Sequence, residues 1–213
     1  MELTWFGHSS FLIKDSNGTK ILTDPFDRSV GYKTYTDTAD IVTISHHHYD
    51  HDYIEEIKGN ADIIDSCGTF EKHGISIKGI PSYHDEVKGA KRGNNTIFVI
   101  EADNLRVCHL GDLGHILSKE TLDEIGSIDV LLIPVGGIYT IDGNTASLVA
   151  KSINPHLIIP MHYKTTYLSF ELDSVDNFTN NMISVDNLLS SNIKISSPLD
   201  GRCKVKILKP IDQ

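Results

Sequence analysis

One short segment of the chain concentrates side chains that could bind metal ions. Residues 46–51 read His-His-His-Tyr-Asp-His, which contains the pattern His-x-His-x-Asp-His, and they follow an apolar, β-branched run that predicts a strand. Alternate residues of an extended chain point the same way, so His46 and His48 can bind one ion, while Asp50 and His51 can reach a second after the chain turns. Imidazole and carboxylate ligands without thiolate suit zinc first, and also manganese, nickel or iron. The segment therefore predicts one or two bound divalent metal ions.

Further metal-competent side chains follow other predicted strands. Asp112 and His162 each come just after an apolar run. Strand carboxyl ends meet at one edge of an α/β sheet, where loops can carry functional groups, so we expect these residues to lie near the histidine segment. The alternatives are a chance histidine run, or a capped turn in which Asp50 only starts the helix predicted at 53–57.

The order of these motifs resembles that of the metallo-β-lactamase-fold hydrolases. The matching segments are, in chain order, 5–9, 23–25, 46–51, His84, 111–112, 134–137 and 160–163. More narrowly, the chain is similar to the small single-domain branch that includes relatives of ascorbate-6-phosphate lactonase. The resemblance implies an α/β protein with a four-layer αβ/βα sandwich, formed by residues 1–213 as one domain, with its site at the edge between the two halves.

The resemblance also implies a ligand set and a catalytic residue. It implies seven ligands in two ion sites that share one carboxylate: His46, His48 and His84 for the first site, Asp50, His51 and His162 for the second, and Asp112 bridging both. Asp50 would also orient the attacking water and pass a proton to the leaving group. From the residues alone, His73 and His109 are alternatives to His84, which we favour because it follows a strand end.

Four other side chains are candidates for orienting the ligands or lining the pocket: Asp24, His8, His115 and Tyr139. Asp24 ends a predicted strand and could hold the second ring nitrogen of a ligand histidine, unless it only forms a turn. The other three lie in loops and could equally be surface residues. His47 and His156 are interpreted as non-ligands.

A long glycine-containing loop, residues 85–95, follows His84. It carries three of the chain's 19 basic residues within five positions, namely Lys88, Lys91 and Arg92. In a protein of net charge -10 this cluster would attract anions locally, so we expect Lys91 and Arg92 to bind a phosphate or carboxylate of a small anionic substrate. The alternative is a solvated turn whose lysines offset neighbouring acidic residues.

The elements that position these residues are predicted mostly as strands. They are 11–14, 20–23, 41–44, 61–64, 75–80, 96–101, 105–109, 130–133, 157–159 and 203–208, with hairpin turns at 16–18 and 102–104. Helices are predicted at 53–57, 119–125, 145–153 and 175–189, the last with a break near Ser184. Asn144 and Ser174 are predicted N-caps, and Asn154 and Pro155 end the third helix. The pattern indicates an α/β sandwich with sheets inside and helices outside.

The composition limits which classes of protein and which partners fit this chain. With 213 residues, 39% hydrophobic residues and a mean hydropathy of -0.16, the chain is typical of a soluble globular domain. The net charge of -10 repels phosphate backbones and anionic lipids, so we expect neither nucleic acid nor membrane as a partner. The first residues lack a secretory pattern, which favours the cytoplasm. Cys67, Cys108 and Cys203 form no Cys-x-x-Cys pair and are predicted to be buried, reduced thiols.

The expected function is hydrolysis by a metal-bound hydroxide, because a divalent ion lowers the pKa of its bound water to about 7. The bond would be an ester, lactone, amide or phosphodiester in a small molecule. The alternatives are a nuclease of the same fold, flavo-diiron oxygen chemistry, an exported drug-hydrolysing lactamase and a non-enzymatic metal-binding protein. The net charge disfavours the nuclease, and diiron chemistry would prefer a carboxylate where His48 stands.

Overall fold

The computed structural model describes residues 1–211, which form two mixed β-sheets with few helices. The last two residues of the predicted domain 1–213 lie outside this description. The six-stranded sheet has the spatial order β13-β1-β2-β3-β4-β5, and its strands are β1 (Glu2–Gly7), β2 (Ser10–Lys14), β3 (Lys20–Thr23), β4 (Ile41–Thr43), β5 (Asp62–Ile64) and β13 (Asn192–Lys194).

The eight-stranded sheet has the spatial order β12-β14-β11-β10-β9-β8-β7-β6. Its strands are β6 (Gly68–Lys72), β7 (Ile75–Tyr83), β8 (Asn94–Ala102), β9 (Leu105–His109), β10 (Val130–Pro134), β11 (Leu157–Met161), β12 (Ser184–Asn187) and β14 (Lys204–Ile207). The helices are α1 (Lys119–Ile125), α2 (Gly143–Ile153), α3 (Asp176–Thr179) and a short 3-10 helix, Arg28–Val30.

Parallel pairing aligns the strand ends that carry the site. In the six-stranded sheet β3, β4 and β5 run parallel, and in the eight-stranded sheet β9, β10 and β11 do. Parallel neighbours end at the same edge, so the polar residues that follow them meet there.

Successive apolar residues of a strand face opposite sides of its sheet, so each sheet needs a covering layer on its outer face. Ile21 belongs to the main core between the sheets, whereas the next residue, Leu22, packs on the other face with loop residues such as Phe26 and Leu172. The helix α2 packs on β10, so the eight-stranded sheet has the expected helical cover. Within residues 1–211 the outer face of the six-stranded sheet is instead covered by irregular chain and the 3-10 helix.

The ten predicted strands and both predicted hairpins are present, with ends that differ by a few residues, and β1, β6, β12 and β13 were not predicted. The helix predicted at 53–57 is wrong: this segment forms turns, and the Tyr53 N–H donates to Pro25 O at 3.0 Å. The helix predicted at 175–189 shrinks to α3, because the chain from Ser184 pairs with β14 as β12.

Three smaller expectations also need correction. Asp142, not Asn144, caps α2, since its Oδ1 accepts the Thr145 N–H at 2.7 Å. Ser174 is not the N-cap of α3, where Val175 holds that position without a side-chain hydrogen bond. All three cysteines are free, but only Cys108 is buried as predicted, since Cys67 is exposed and Cys203 is half-buried.

Among residues 1–211, no helix combines the length and apolar character needed to cross a membrane.

Candidate metal centre

The candidate ligands meet at one edge, where strands of both sheets end. His46 lies three residues beyond β4 of the six-stranded sheet. His84 and His162 directly follow β7 and β11 of the eight-stranded sheet, and Asp112 lies three residues beyond β9. Residues far apart along the chain therefore face one another across the edge.

The Asp112 carboxylate lies at the centre of this arrangement. Its Oδ2 lies 3.2 Å from Nε2 of both His84 and His162, 3.4 Å from His51 Nε2 and 4.0 Å from His46 Nε2. Two donors that bind one ion at about 2.0–2.2 Å in tetrahedral geometry lie roughly 3.3 Å apart, so these separations fit metal coordination. Oδ1 of Asp112 is buried and has no hydrogen-bond partner among residues 1–211.

The donor atoms fall into groups whose members all lie within 4.8 Å of one another. The groups are His46 with His48 and His84, His8 with Asp50, His51 and His162, and His46 with His51 and Asp112. The grouping follows the division expected from the sequence, with His8 added to the second group. Imidazole and carboxylate donors fit a divalent transition metal, and the shared position of Asp112 fits a bridging ligand.

His8 reaches the second group from the turn between β1 and β2. Its Nε2 lies 3.0 Å from Asp50 Oδ2 and 3.1 Å from His51 Nε2. The backbone of His8 is left-handed, with a φ of 50°, and its carbonyl oxygen accepts hydrogen bonds from Trp5 Nε1 at 3.1 Å and from the His162 N–H at 3.2 Å. The strained turn thus ties the six-stranded sheet to the end of β11.

Asp24 orients two candidate ligands, as the sequence suggested for one. Its Oδ2 accepts hydrogen bonds from His51 Nδ1 at 2.9 Å and from Ser45 Oγ at 2.6 Å. Since Ser45 has one hydroxyl proton and gives it to Asp24, it accepts from His46 Nδ1, which lies 2.9 Å away. This network assigns protons to both Nδ1 atoms, so that both Nε2 atoms face the Asp112 carboxylate.

Burial and charge set the protonation of the cluster. Burial lowers the pKa of His46 to about 2 and the pKa of His8 to about 4, which keeps both in the neutral form that binds metal. Burial acts in the same direction on His51, but the Asp112 carboxylate raises the pKa of His51 well above its ordinary value. Burial opposes ionisation of Asp112, yet His162 and His51 hold its pKa well below the usual range.

Asn95 and Gly111 place Asp112, and the sequence had indicated Gly111 only as part of the matching segment 111–112. Asn95 Oδ1 accepts the Asp112 N–H at 2.9 Å, and Asn95 Nδ2 donates to Leu110 O at 2.9 Å. Gly111 has a φ of 55°, and a Cβ there would lie 2.3 Å from Asn95 Oδ1 and 2.6 Å from Ser45 Cβ. Glycine is therefore required before Asp112. Ser45 was also missed, and its position directly before the histidine run was the available signal.

A cavity of about 450 Å³ opens onto the centre. Its lining combines candidate ligands with aromatic and basic side chains: His47, His48, Tyr49, Asp50, His84, Arg92, Asp112, Tyr139, His162 and Phe170. Arg92 Nη2 donates to Ile138 O at 3.0 Å, and its guanidinium lies 5.6 Å from the ring centroid of Tyr139. Tyr139 therefore lines the cavity, as the sequence suggested.

The two basic residues predicted to bind substrate differ in position. Within the described chain Arg92 has no carboxylate within ion-pair distance. Lys91 is not in the cavity lining and pairs with Glu86 at 2.5 Å. Asp85 accepts the backbone N–H groups of Val87, Gly89, Lys91 and Arg92 at 2.8–2.9 Å, which fixes the loop that presents Arg92.

The remaining histidines lie away from Asp112. His115, predicted as a pocket candidate, accepts the Tyr83 N–H at 3.2 Å and does not line the cavity. His109 is buried, and its Nε2 lies 2.8 Å from Ser9 O. His73 Nε2 lies 3.2 Å from Oδ2 of Asp62, the first residue of β5. The structure thus places His84, rather than His73 or His109, beside the central carboxylate.

Two facing mixed sheets with an edge cluster of imidazoles around one carboxylate are typical of metal-dependent hydrolases. A family model described as "Beta-lactamase superfamily domain" matches residues 2–162. A UPF0173 metal-dependent hydrolase from Archaeoglobus fulgidus is 30% identical over 196 residues, covering 78% of this chain and 84% of the relative. Another from Pelotomaculum thermopropionicum is 30% identical over 230 residues, covering 93% and 97%.

A solved structure from Thermotoga maritima, of the metallo-β-lactamase superfamily, is 42% identical with a TM-score of 0.83 and 97% of each chain covered. The chain therefore belongs to the metallo-β-lactamase superfamily and is a metal-dependent hydrolase, which confirms the fold and the class expected from the sequence. The narrower similarity to ascorbate-6-phosphate lactonase relatives stays a prediction.

Proposed function

We propose that the protein binds two divalent ions, zinc in the first place, and hydrolyses an ester, lactone or phosphodiester bond in a small anionic substrate. The observation that carries the proposal is the Asp112 carboxylate, buried among imidazole nitrogens at 3.2–4.0 Å on the floor of an open cavity. His46, His48 and His84 would hold one ion, and Asp50, His51 and His162 the other, with Asp112 shared between them. His8 faces the second group.

Bound in this cluster, divalent ions would lower the pKa of a water molecule and polarise the bond to be cleaved. The protein's own contribution begins with Asp50, which lines the cavity. Burial opposes its ionisation, but the hydrogen bond from His8 and the charge of His51 hold the pKa of Asp50 below its ordinary value. Asp50 therefore enters the reaction ionised, so it can orient the attacking water, take one proton from it and pass that proton to the leaving group.

Arg92 supports an anionic substrate. The net charge of -10 gives no general attraction for anions, so a guanidinium in the cavity with no carboxylate partner in the described chain is a specific feature. Guanidinium groups bind phosphate or carboxylate through paired hydrogen bonds. The same net charge favours a small molecule over a nucleic acid as the partner.

Metal content and activity test the proposal together. Protein loaded with zinc, manganese or nickel should contain up to two ions per chain by elemental analysis, and should hydrolyse at least one member of a panel of lactones, phosphodiesters, thioesters and nucleotides. Asp50→Asn should lower kcat by on the order of 10² or more while the metal at His46, His48 and His84 is retained. Folded protein that takes up no metal would contradict the proposal, and unchanged turnover in the variant would remove Asp50 from it.

A further inference from the structure

A second cavity adjoins the one that opens onto the metal centre. It measures about 530 Å³ and lies along the same sheet edge, between the end of β5 and the facing ends of β7 and β8. We call the cavity over the centre the near compartment and this one the far compartment. Their linings have three residues in common, His47, His48 and Arg92, so these side chains form the boundary between them.

The two compartments differ in chemistry. The near compartment presents the rings of Tyr49, Tyr139 and Phe170, and the last two rings pack edge to face with centroids 6.0 Å apart. The far compartment presents neutral hydrogen-bonding side chains that include Ser66, Cys67, Tyr83 and Asn94. Each volume lies within the usual range of small-molecule sites, so each can take an organic substituent.

The only arginine or lysine in either lining, within the described residues, is Arg92 on the boundary. The carboxylate of the far compartment, Asp65, faces His47, with 3.6 Å between Oδ2 and Nε2. Arg92 therefore places its positive charge between the two compartments. Away from this boundary, no arginine or lysine of the described residues lines either compartment.

We propose that the substrate is a phosphodiester of a small molecule, with a flat or apolar substituent in the near compartment and a neutral polar substituent in the far compartment. A phosphodiester carries its one negative charge between two organic groups, which matches a guanidinium placed between two cavities. A lactone or carboxyl ester with an anionic tail carries its charge at one end. This inference rests on the proposed function, because it names which of the proposed bonds is cleaved.

The reaction consumes one water per bond. The water oxygen bonds to phosphorus, the bond from phosphorus to one ester oxygen breaks, and one water proton goes to that leaving oxygen. The second proton stays on the resulting phosphate monoester until buffer removes it. The products are an alcohol and a phosphate monoester.

The experiment compares two diesters of equal charge, bis(4-nitrophenyl) phosphate and methyl 4-nitrophenyl phosphate, with 4-nitrophenyl acetate and a δ-lactone as the other bond types. Metal-loaded protein should prefer the diesters, and kcat/KM should be about tenfold higher for the diester with two large substituents. Cys67→Trp, which places an indole in the lining of the far compartment, should abolish this preference. Thr69→Trp, also exposed but on β6 outside the compartment, should keep it.

Equilibrium binding gives a readout that needs no turnover. Zinc-loaded Asp50→Asn protein, titrated calorimetrically with the same two diesters, should bind the larger one about tenfold more tightly, and the further change Cys67→Trp should remove the difference. Hydrolysis of the acetate or lactone in preference to both diesters would overturn this inference and leave the proposed function standing. Equal binding of the two diesters, or a preference that survives Cys67→Trp, would also overturn it. Absence of metal uptake would instead contradict the proposed function itself.

Discussion

The two sheets hold their parts of the metal centre in different ways. The six-stranded half, which contains His46 and His51, is tied together by hydrogen bonds within the protein. Asp24 connects to both histidines, directly for His51 and through Ser45 for His46. These ring orientations are determined before any ion binds.

In the eight-stranded half Asn95 holds the backbone of Asp112, but no side chain of the described residues orients the rings of His84 and His162 through Nδ1. Nδ1 of His84, Nδ1 of His162 and Oδ1 of Asp112 are buried without a hydrogen-bond partner in the described chain, and in the six-stranded half the same holds for His8 Nδ1. An unsatisfied buried polar group costs about 1–3 kcal/mol, and more when it is charged. One half is therefore organised by hydrogen bonds between side chains, whereas the rings of the other half are left for bound cations to orient.

The largest expected effect comes from the residue that faces both halves. Asp112→Asn removes the negative charge shared by the two groups, so we expect metal content to fall to one ion or fewer per chain and activity to fall by about 10³-fold or more. Elemental analysis and steady-state kinetics measure this. The matched control is Asp186→Asn on the exposed face of β12. Two tightly held ions in Asp112→Asn would show that the halves do not share this ligand.

Removing the hydrogen-bond support tests whether the six-stranded half is preorganised. Asp24→Asn loses the carboxylate that orients His46 and His51, so we expect zinc affinity to fall by about 10–100-fold, as for other residues that orient metal ligands. Ser45→Ala breaks only the connection to His46 and should have a smaller effect. Competition titration with a chromophoric chelator gives both affinities. Unchanged affinity in both variants would mean that the ring orientations need no such support.

The loop after His84 offers a matched pair of basic residues. Arg92→Met removes the guanidinium from the cavity, so KM for an anionic substrate should rise about tenfold, the scale of one charge-assisted hydrogen bond. Lys91→Met removes a cation paired with Glu86 outside the cavity and should change KM little. A neutral ester serves as the control substrate. Equal effects of the two substitutions would show that the loop acts only through its overall charge.

The smallest effect is expected in the dynamics after metal removal. Without cations nothing in the described chain orients the rings of His84 and His162 through Nδ1, so backbone hydrogen exchange should rise several-fold in segments 83–93 and 161–170 and less in segment 44–51, which Asp24 still holds. Exchange measured by mass spectrometry before and after chelation, with zinc added back as a control, resolves these segments. A larger rise in segment 44–51 would reverse the comparison.

Much of the candidate site could be located before the structure was known. The donors follow strand ends, and strand periodicity is a local property that is readable from alternating apolar residues. The helix predicted at 175–189 was wrong because β12 is stabilised by pairing with β14, a contact that no local pattern encodes. The exposure of Cys67 depends in the same way on the position of its loop.

Which donors are available, and which strand each of them follows, can be read from the amino-acid order: the histidine run after β4, Asp112 after β9 and His162 after β11. Which of these donors meet depends on how the two sheets pack. His8 reaches Asp50 across 42 positions of the chain, and Asn95 reaches the Asp112 backbone across 17. The packing also places Arg92 in the lining of the cavity, whereas Lys91 pairs with Glu86 outside it. The physical reason is that coordination and hydrogen bonding require contacts within a few ångströms, and the packing of two sheets sets those distances.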